Sequence, residues 1–432
     1  MRAWFLPATL LGLALRASFL ALEPDARLVG DEQTWTAWGF EIASPQVRFS
    51  PIASRIIFYP PVYPYFIAVP WALFGSLVAV KALQVVASAA LIPAVGRLGA
   101  SLFGARAGGL AAFFTALNPD LIWFSTHFWS ETLFLALLFW GFERLLDAGG
   151  GRREAALVAG LLFGLASLTR EPALYFVPVA GLWLLLAGGR KPALAFTLAA
   201  LATVAPWTLR NAVVYDAFVP VSTFGPFNVW LGNTRHSREA VYAEYAQVPG
   251  RIAKYRYTQQ KAWQAIRERQ PWWILEKLKD ELPRFWEADS QALAHVRRGA
   301  YGPLATGTAR VVEWAFILAY LAALGLFVLG LWRLPLGREA LLLLAFVSFF
   351  VMLHVATHGF ARFRLPVLPI LLVFGAAALS GPWPAPSLRG RILAAAVGVV
   401  LALSLVPSLR DRLGSDADAP ADAPTPQDPS TP

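Results

Sequence analysis

Runs of about 20 predominantly apolar residues recur along most of this 432-residue chain, and no other feature limits its fold so strongly. Lipid offers an unpaired backbone no partner, so each run reads as a helix that satisfies its own peptide groups. The runs fall at residues 3–22, 76–100, 107–126, 130–146, 155–169, 172–188, 192–208, 311–332, 339–357, 365–381 and 391–407, about eleven spans. Composition agrees, with 57% hydrophobic residues and only 15% charged. The expectation is an all-α polytopic membrane protein.

The first run follows Arg2 as a signal peptide would, but its apolar core is long and Glu23-Pro24 is a poor cleavage site, so it reads as an uncleaved helix. Cysteine is absent, which removes disulfides and thiolate metal sites. Lys and Arg number 37 against 27 acids and are scattered at helix ends instead of forming one stripe. That distribution suits membrane lipids or a phosphate-bearing substrate and speaks against nucleic acid.

Basic residues in the short loops set an orientation. Arg97, Arg106, Arg144, Arg152, Arg153, Arg190, Lys191, Arg333, Arg338, Arg389 and Arg391 fall on one side, which the positive-inside rule makes cytoplasmic, together with the N-terminus. The chain then divides into a transmembrane module at 1–232, an external amphipathic helical segment at 233–310, transmembrane helices at 311–413 and a disordered tail at 414–432. Within the first module, 23–75 reads as a large external loop of amphipathic surface pieces, too polar at Arg48, Ser50, Ser54 and Arg55 to cross. Periodicity through Tyr255, Ala262, Trp263 and Ile266 predicts one helix of the external segment, and a second starts near Pro271. There is no internal repeat and no phosphate-cradling glycine loop.

Polar residues that hydropathy cannot explain crowd at the outer ends of the spans: Asp31 and Glu32, His127 and Glu131, Arg170 and Glu171, Arg210 and Asn211, and His358, Arg362 and Arg364. Ionisable groups at membrane depth mark a function or a paired partner, so this face predicts a cavity for an acidic ligand. Plainer roles stand beside that one. Asp31 after Gly30 also suits a helix N-cap, Glu131 suits the positive end of a helix dipole, His127 an interface, and the arginines snorkelling anchors. Adjacent helical residues diverge by about 100°, so Asp31 and Glu32 cannot both aim at one atom.

Several blocks resemble bacterial members of glycosyltransferase family 39, GT-C relatives of the protein O-mannosyltransferases and aminoarabinose transferases. They are Asp31-Glu32 in the first loop, Tyr59-Pro60-Pro61-Val62-Tyr63-Pro64-Tyr65, Leu168-Thr169-Arg170-Glu171-Pro172, Pro206-Trp207-Thr208-Leu209-Arg210-Asn211, Asn228-Val229-Trp230-Leu231-Gly232-Asn233, and Arg362-Phe363-Arg364-Leu365-Pro366. The likeness runs from the first loop to the tenth span. One departure is Tyr59, where relatives often carry Lys or His before the Pro-Pro pair, so a phosphate contact from that position is not expected.

The resemblance implies a GT-C fold and a sugar donor linked to a polyprenyl phosphate, acting at the outer face of a bacterial cytoplasmic membrane. Arg170, Arg210, Arg362 and Arg364 would then hold the donor phosphate and stabilise it as it leaves. Asp31 is the expected general base, with Glu32 or Glu131 orienting, and a divalent-metal role for Asp31 and Glu131 stays open. Tyr63, His127, Asn228, Trp230, Asn233 and His358 are the expected substrate-binding side chains. The rival is a transporter or flippase of lipid-linked sugars, a class that places charges and broken helices near the midplane in matched halves. The sequence names neither sugar nor acceptor.

Overall fold

The computed structural model describes residues 5–23, 27–45, 59–302, 304–381 and 385–414, all helix and connecting turn, with no strand among them. Arg48, Ser50, Ser54, Arg55 and the segment 415–432 lie outside the described residues. Among the described residues six helices are long and apolar enough to cross a membrane: Phe5–Leu22, Leu77–Phe103, Arg190–Tyr215, Thr306–Arg333, Arg338–Ala356 and Leu388–Arg410. Shorter apolar helices, Val62–Phe74, Ala105–Leu117, Pro172–Ala187 and Leu368–Leu379, fill in between them. The molecule is an all-α, multi-pass membrane protein. Leu6, Leu10, Leu182, Leu186, Leu198 and Leu403 point outward from it, as lipid-facing side chains do.

Lipid tails are as apolar as leucine, so helices associate in a membrane through close packing of small residues. Gly160 and Gly164, four residues apart on helix Arg153–Ser167, supply such a face. A Cβ on Gly160 would stand 2.3 Å from the Phe196 carbonyl oxygen, and one on Gly164 would stand 2.5 Å from Thr203 Cβ. Helix Arg190–Tyr215 therefore lies directly on this glycine face. Further in, helix Leu368–Leu379 is apolar on every side and almost wholly buried, and it packs on Thr306–Arg333 and Ala105–Leu117. One charge is enclosed in this frame without conflict. Arg16 donates to Ser88 Oγ at 2.8 Å and to the carbonyls of Gly12, Ala116 and Thr115, so every nitrogen has a partner and the first helix is tied to its neighbours.

Two local readings differ from the structure. Residues 62–74, expected as surface pieces of a loop, form an apolar helix whose Tyr63 and Ile67 are fully buried. Prolines punctuate that stretch, but Pro64 sits in the first turn, where its missing N–H is no loss. The single run expected at 107–126 is two helices, Ala105–Leu117 and Pro119–Phe124, divided at Asn118, whose side chain accepts from Leu121 N. Residues 225–268 hold Gly225–Asn233, Arg238–Gln247 and Arg251–Glu268, and Trp273–Trp286 follows. The first three of these helices carry much of the wall of the cavity described next.

Candidate active site

Helix Asp31–Ala43 begins at Gly30, whose backbone takes φ 63°, and no side chain caps it. Asp31 is thus not spent on its own helix. Its Oδ2 lies 2.7 Å from Nη1 of Arg362, 331 residues further on, and about half of the Asp31 side chain stays open. Glu32 turns the other way and is buried. Its Oε1 accepts from Phe128 N at 2.9 Å, and its Oε2 accepts from Val29 N at 3.2 Å and meets His295 Nε2 at 3.2 Å. Burial alone would raise the Glu32 pKa, but the His295 contact and the charge and backbone partners around it win, and it falls below the usual value. The acidic pair therefore divides: Asp31 faces open space and Glu32 fastens the start of its helix to two distant segments.

Glu131 opens helix Glu131–Ala148, where the helix dipole favours an anion. Arg170 Nη1 is 2.7 Å from Glu131 Oε1 but off the line of a hydrogen bond, so the contact is ionic. Neither Glu131 oxygen accepts a hydrogen bond among the described residues, although both are buried. Arg170 is held between two helices by its N–H to the Ala166 carbonyl and by Nη1 to Ser130 Oγ at 3.1 Å. Arg362 stands in the 3-10 turn Ala361–Arg364, 4.8 Å above the Trp129 ring. Burial works against its charge, yet the carboxylates of Asp31 and Glu131 outweigh that and hold its pKa above the usual value.

These four groups line one cavity of about 980 Å³. Asn228 and His358 line it too. His358 sits beyond the end of helix Arg338–Ala356, and burial lowers its pKa to about 3, so the ring is neutral there at pH 7. Arg364, Arg210, Tyr63, His127, Trp230 and Asn233, also expected at the site, do not line it. Arg364 points elsewhere, donating to the carbonyls of Glu287 and Asp289 and lying 3.7 Å over the Tyr320 ring. Arg210 bonds Asn211 Oδ1 at 2.9 Å between Trp207 and Tyr215. Tyr63 is buried with its hydroxyl on Gln84 Oε1 at 2.8 Å. His127 stacks on Trp123, its Nδ1 on the Trp123 carbonyl and its Nε2 on the Tyr301 hydroxyl, each at 2.8 Å. Trp230 is core packing against Phe227, and Asn233 joins the Val229 and Ala356 carbonyls to Trp273 Nε1.

The cavity also takes Glu171, which the sequence placed on the charged outer face without a role of its own, and residues that sequence reading gave no site role, among them Tyr175, Arg238, Tyr255 and Trp263. Arg238 sits in a stretch of soluble-like composition, where one more arginine carries no signal. For a resident metal the donor set is thin. Among the described residues no three His, Cys, Asp or Glu gather, and Asp31 and Glu131 each already face an arginine.

Residues 59–209 match the family model described as dolichyl-phosphate-mannose-protein mannosyltransferase, about a third of the chain. No curated protein matches. Among solved structures, the chain is similar to the archaeal oligosaccharyltransferase AglB from Archaeoglobus fulgidus, in complex with an inhibitory peptide and a dolichol-phosphate. That likeness has a TM-score of 0.53 and 16% identity, and covers 93% of this chain and 55% of that one. ArnT from Cupriavidus metallidurans, bound to undecaprenyl phosphate, gives a TM-score of 0.54 at 14% identity, covering 96% and 66%. The Archaeoglobus fulgidus oligosaccharyltransferase in complex with Zn and sulfate gives 0.51 at 17%, covering 94% and 51%. This chain thus spans between half and two thirds of the length of those proteins. Over nearly its whole length the chain thus shares the fold of these proteins.

Proposed function

We propose that the protein is a membrane glycosyltransferase that moves a sugar from a polyprenyl-phosphate donor to an acceptor hydroxyl at the outer face of a cytoplasmic membrane. The observation that carries this reading is the convergence of Asp31, Glu131, Arg170 and Arg362 on one cavity at helix ends, two acids and two guanidiniums drawn from four separated segments. Two neighbours of the same fold hold polyprenyl phosphates, dolichol-phosphate in one and undecaprenyl phosphate in the other. The distribution of the loop arginines supports an outer position for these helix ends under the positive-inside rule.

In this reaction the acceptor oxygen attacks the anomeric carbon while the bond from that carbon to the phosphate oxygen breaks. The electron pair leaves on the phosphate, and the acceptor proton passes to Asp31, the open carboxylate. Arg170 and Arg362 stabilise the departing phosphate, a planar donor fork suited to its oxygens. Direct displacement inverts the anomeric centre. Glu131 holds Arg170, and Glu32 acts through position alone, because its oxygens are taken by backbone and His295. Asp31 and Glu131 each face an arginine, and no step here is routed through a metal.

The test uses purified protein in lipid nanodiscs and sealed vesicles with radiolabelled polyprenyl-phosphate sugars and crude envelope acceptors. Label leaving the prenyl carrier for an acceptor, with the anomeric configuration inverted, is the expected result. Label that crosses the vesicle membrane still attached to its carrier, with no transfer from any donor, sinks the transferase reading in favour of a flippase.

A further inference from the structure

Arg170 and Glu171 are neighbours in the chain, but they serve different parts of the cavity. Arg170 turns to Glu131, whereas Glu171 Oε1 accepts from the Tyr175 hydroxyl at 2.7 Å, one helical turn on. Glu171 Oε2 accepts no hydrogen bond among the described residues, and it lies 3.6 Å from where a Cβ on Gly225 would be. Absence of a side chain at Gly225 keeps that oxygen uncovered. Tyr255, Gln259 and Trp263, all on helix Arg251–Glu268, line the same cavity as Glu171. Trp263 and Tyr175 remain exposed, with no core to explain them.

The chemistry of this wall is specific. A carboxyl group with one open oxygen, a carboxamide and phenol hydroxyls offer donors and acceptors to a ring of hydroxyls, and exposed aromatic faces stack on the C–H side of a sugar. Burial raises the Glu171 pKa to about 7, so near neutral pH it can donate as well as accept, which favours a neutral polyol over a cation. We propose that Glu171, Tyr175, Tyr255, Gln259 and Trp263 form the acceptor subsite and that the acceptor is a saccharide. This inference rests on the transferase reading for the word acceptor, but the subsite itself is a binding surface that can be tested alone.

The experiment is saturation-transfer difference NMR on the full chain in nanodiscs, with a panel of methyl hexopyranosides as probes. Capped serine and threonine peptides and ethanolamine serve as rival probes. At least one glycoside should receive saturation on its ring protons. Glu171→Gln should weaken that by about tenfold, as expected for losing a hydrogen bond to a charged or strongly polar partner. Tyr175→Phe, which frees Glu171 without altering it, should weaken it less, and thermal unfolding of each variant separates this from misfolding. No Glu171-dependent glycoside signal overturns the proposal, as does a Glu171-dependent signal from the peptides or from ethanolamine instead. Donor consumption measured on the same samples separates the two readings. Transfer off the prenyl carrier without Glu171-dependent saccharide binding defeats the subsite alone, whereas saccharide binding with no donor ever consumed defeats the transferase reading and leaves the subsite standing.

Discussion

Replacing Asp31 by asparagine should abolish most turnover while hardly changing stability. The Asp31–Arg362 pair spans 2.7 Å, but nearly half of the Asp31 side chain is open, and an ion pair so placed contributes about 0–1 kcal/mol. Asparagine keeps an oxygen for Arg362, so the loss falls at the low end of that range. The chemical step is different, because an amide cannot accept the acceptor's proton. Losing a general base slows a reaction by about 10²–10⁴-fold, which is about 3–5 kcal/mol of barrier. The assay is single-turnover transfer of label from the polyprenyl carrier in nanodiscs, beside thermal unfolding and donor binding on the same preparation. An Asp31→Asn protein that binds donor and turns over within about threefold of the parent would refute the assignment, since that change is below 1 kcal/mol.

Three further outcomes follow from contacts outside the reacting groups. Glu32→Gln puts an amide NH₂ against a backbone N–H, that of Phe128 or that of Val29, in a buried place. It should cost about 2–4 kcal/mol and lower the unfolding temperature clearly, and a parent-like transition would contradict the clamp. Gly232→Ala would drive a Cβ to 1.8 Å from the Thr357 carbonyl oxygen, which Lys277 Nζ also holds at 2.7 Å. Folded protein should be scarce, whereas Gly307→Ala, with nothing within 4 Å, should accumulate normally, and equal yields would argue against that close approach. His127 is neutral because burial lowers its pKa from 6.5 to about 4, so the unfolded chain binds the extra proton between those values. Stability should be complete above pH 6.5 and fall on acidification by at most about 1.4 kcal/mol per unit down to pH 4. His127→Asn should flatten that slope, and an unchanged slope in the variant would refute the assignment.

Hydropathy is a local property, so most of the apolar helices were legible from sequence to within a few residues, the helix at 62–74 and the break at Asn118 apart, and the turn of about 100° between neighbours already separated Asp31 from Glu32. Pairing is not local. Nothing in the chain relates Asp31 to Arg362 across 331 residues. Arg362 and Arg364 look alike in sequence, two residues apart and basic, and only the 3-10 turn sends one to the cavity and the other to the carbonyls of Glu287 and Asp289. Asn228 and Trp230 behave the same way on helix Gly225–Asn233, where one lines the cavity and the other enters the core. All of the motif blocks but that at 206–211 thus hold at least one residue that lines the cavity, and the local register within each decides which one does.

The wall of the cavity carries Arg170, Arg238 and Arg362 against Asp31, Glu131 and Glu171, with His354 and His358 beside them. With Glu171 ionised the charges cancel, and with it protonated the excess is one positive charge, the complement of one phosphodiester. Arg170 and Arg362 are already matched by Glu131 and Asp31, so the unmatched charge is Arg238, set over Tyr242 and Phe360. Arg238→Gln should therefore weaken undecaprenyl-phosphate binding by about 3–10-fold at low salt, a difference that shrinks near 0.5 M salt as screening shortens to a few ångströms. Arg256→Gln removes the same charge from helix Arg251–Glu268 at a residue that does not line the cavity. Equal effects from the two variants would mean that net charge alone attracts the ligand. An effect confined to Arg238→Gln would show that the cavity is built for an anion.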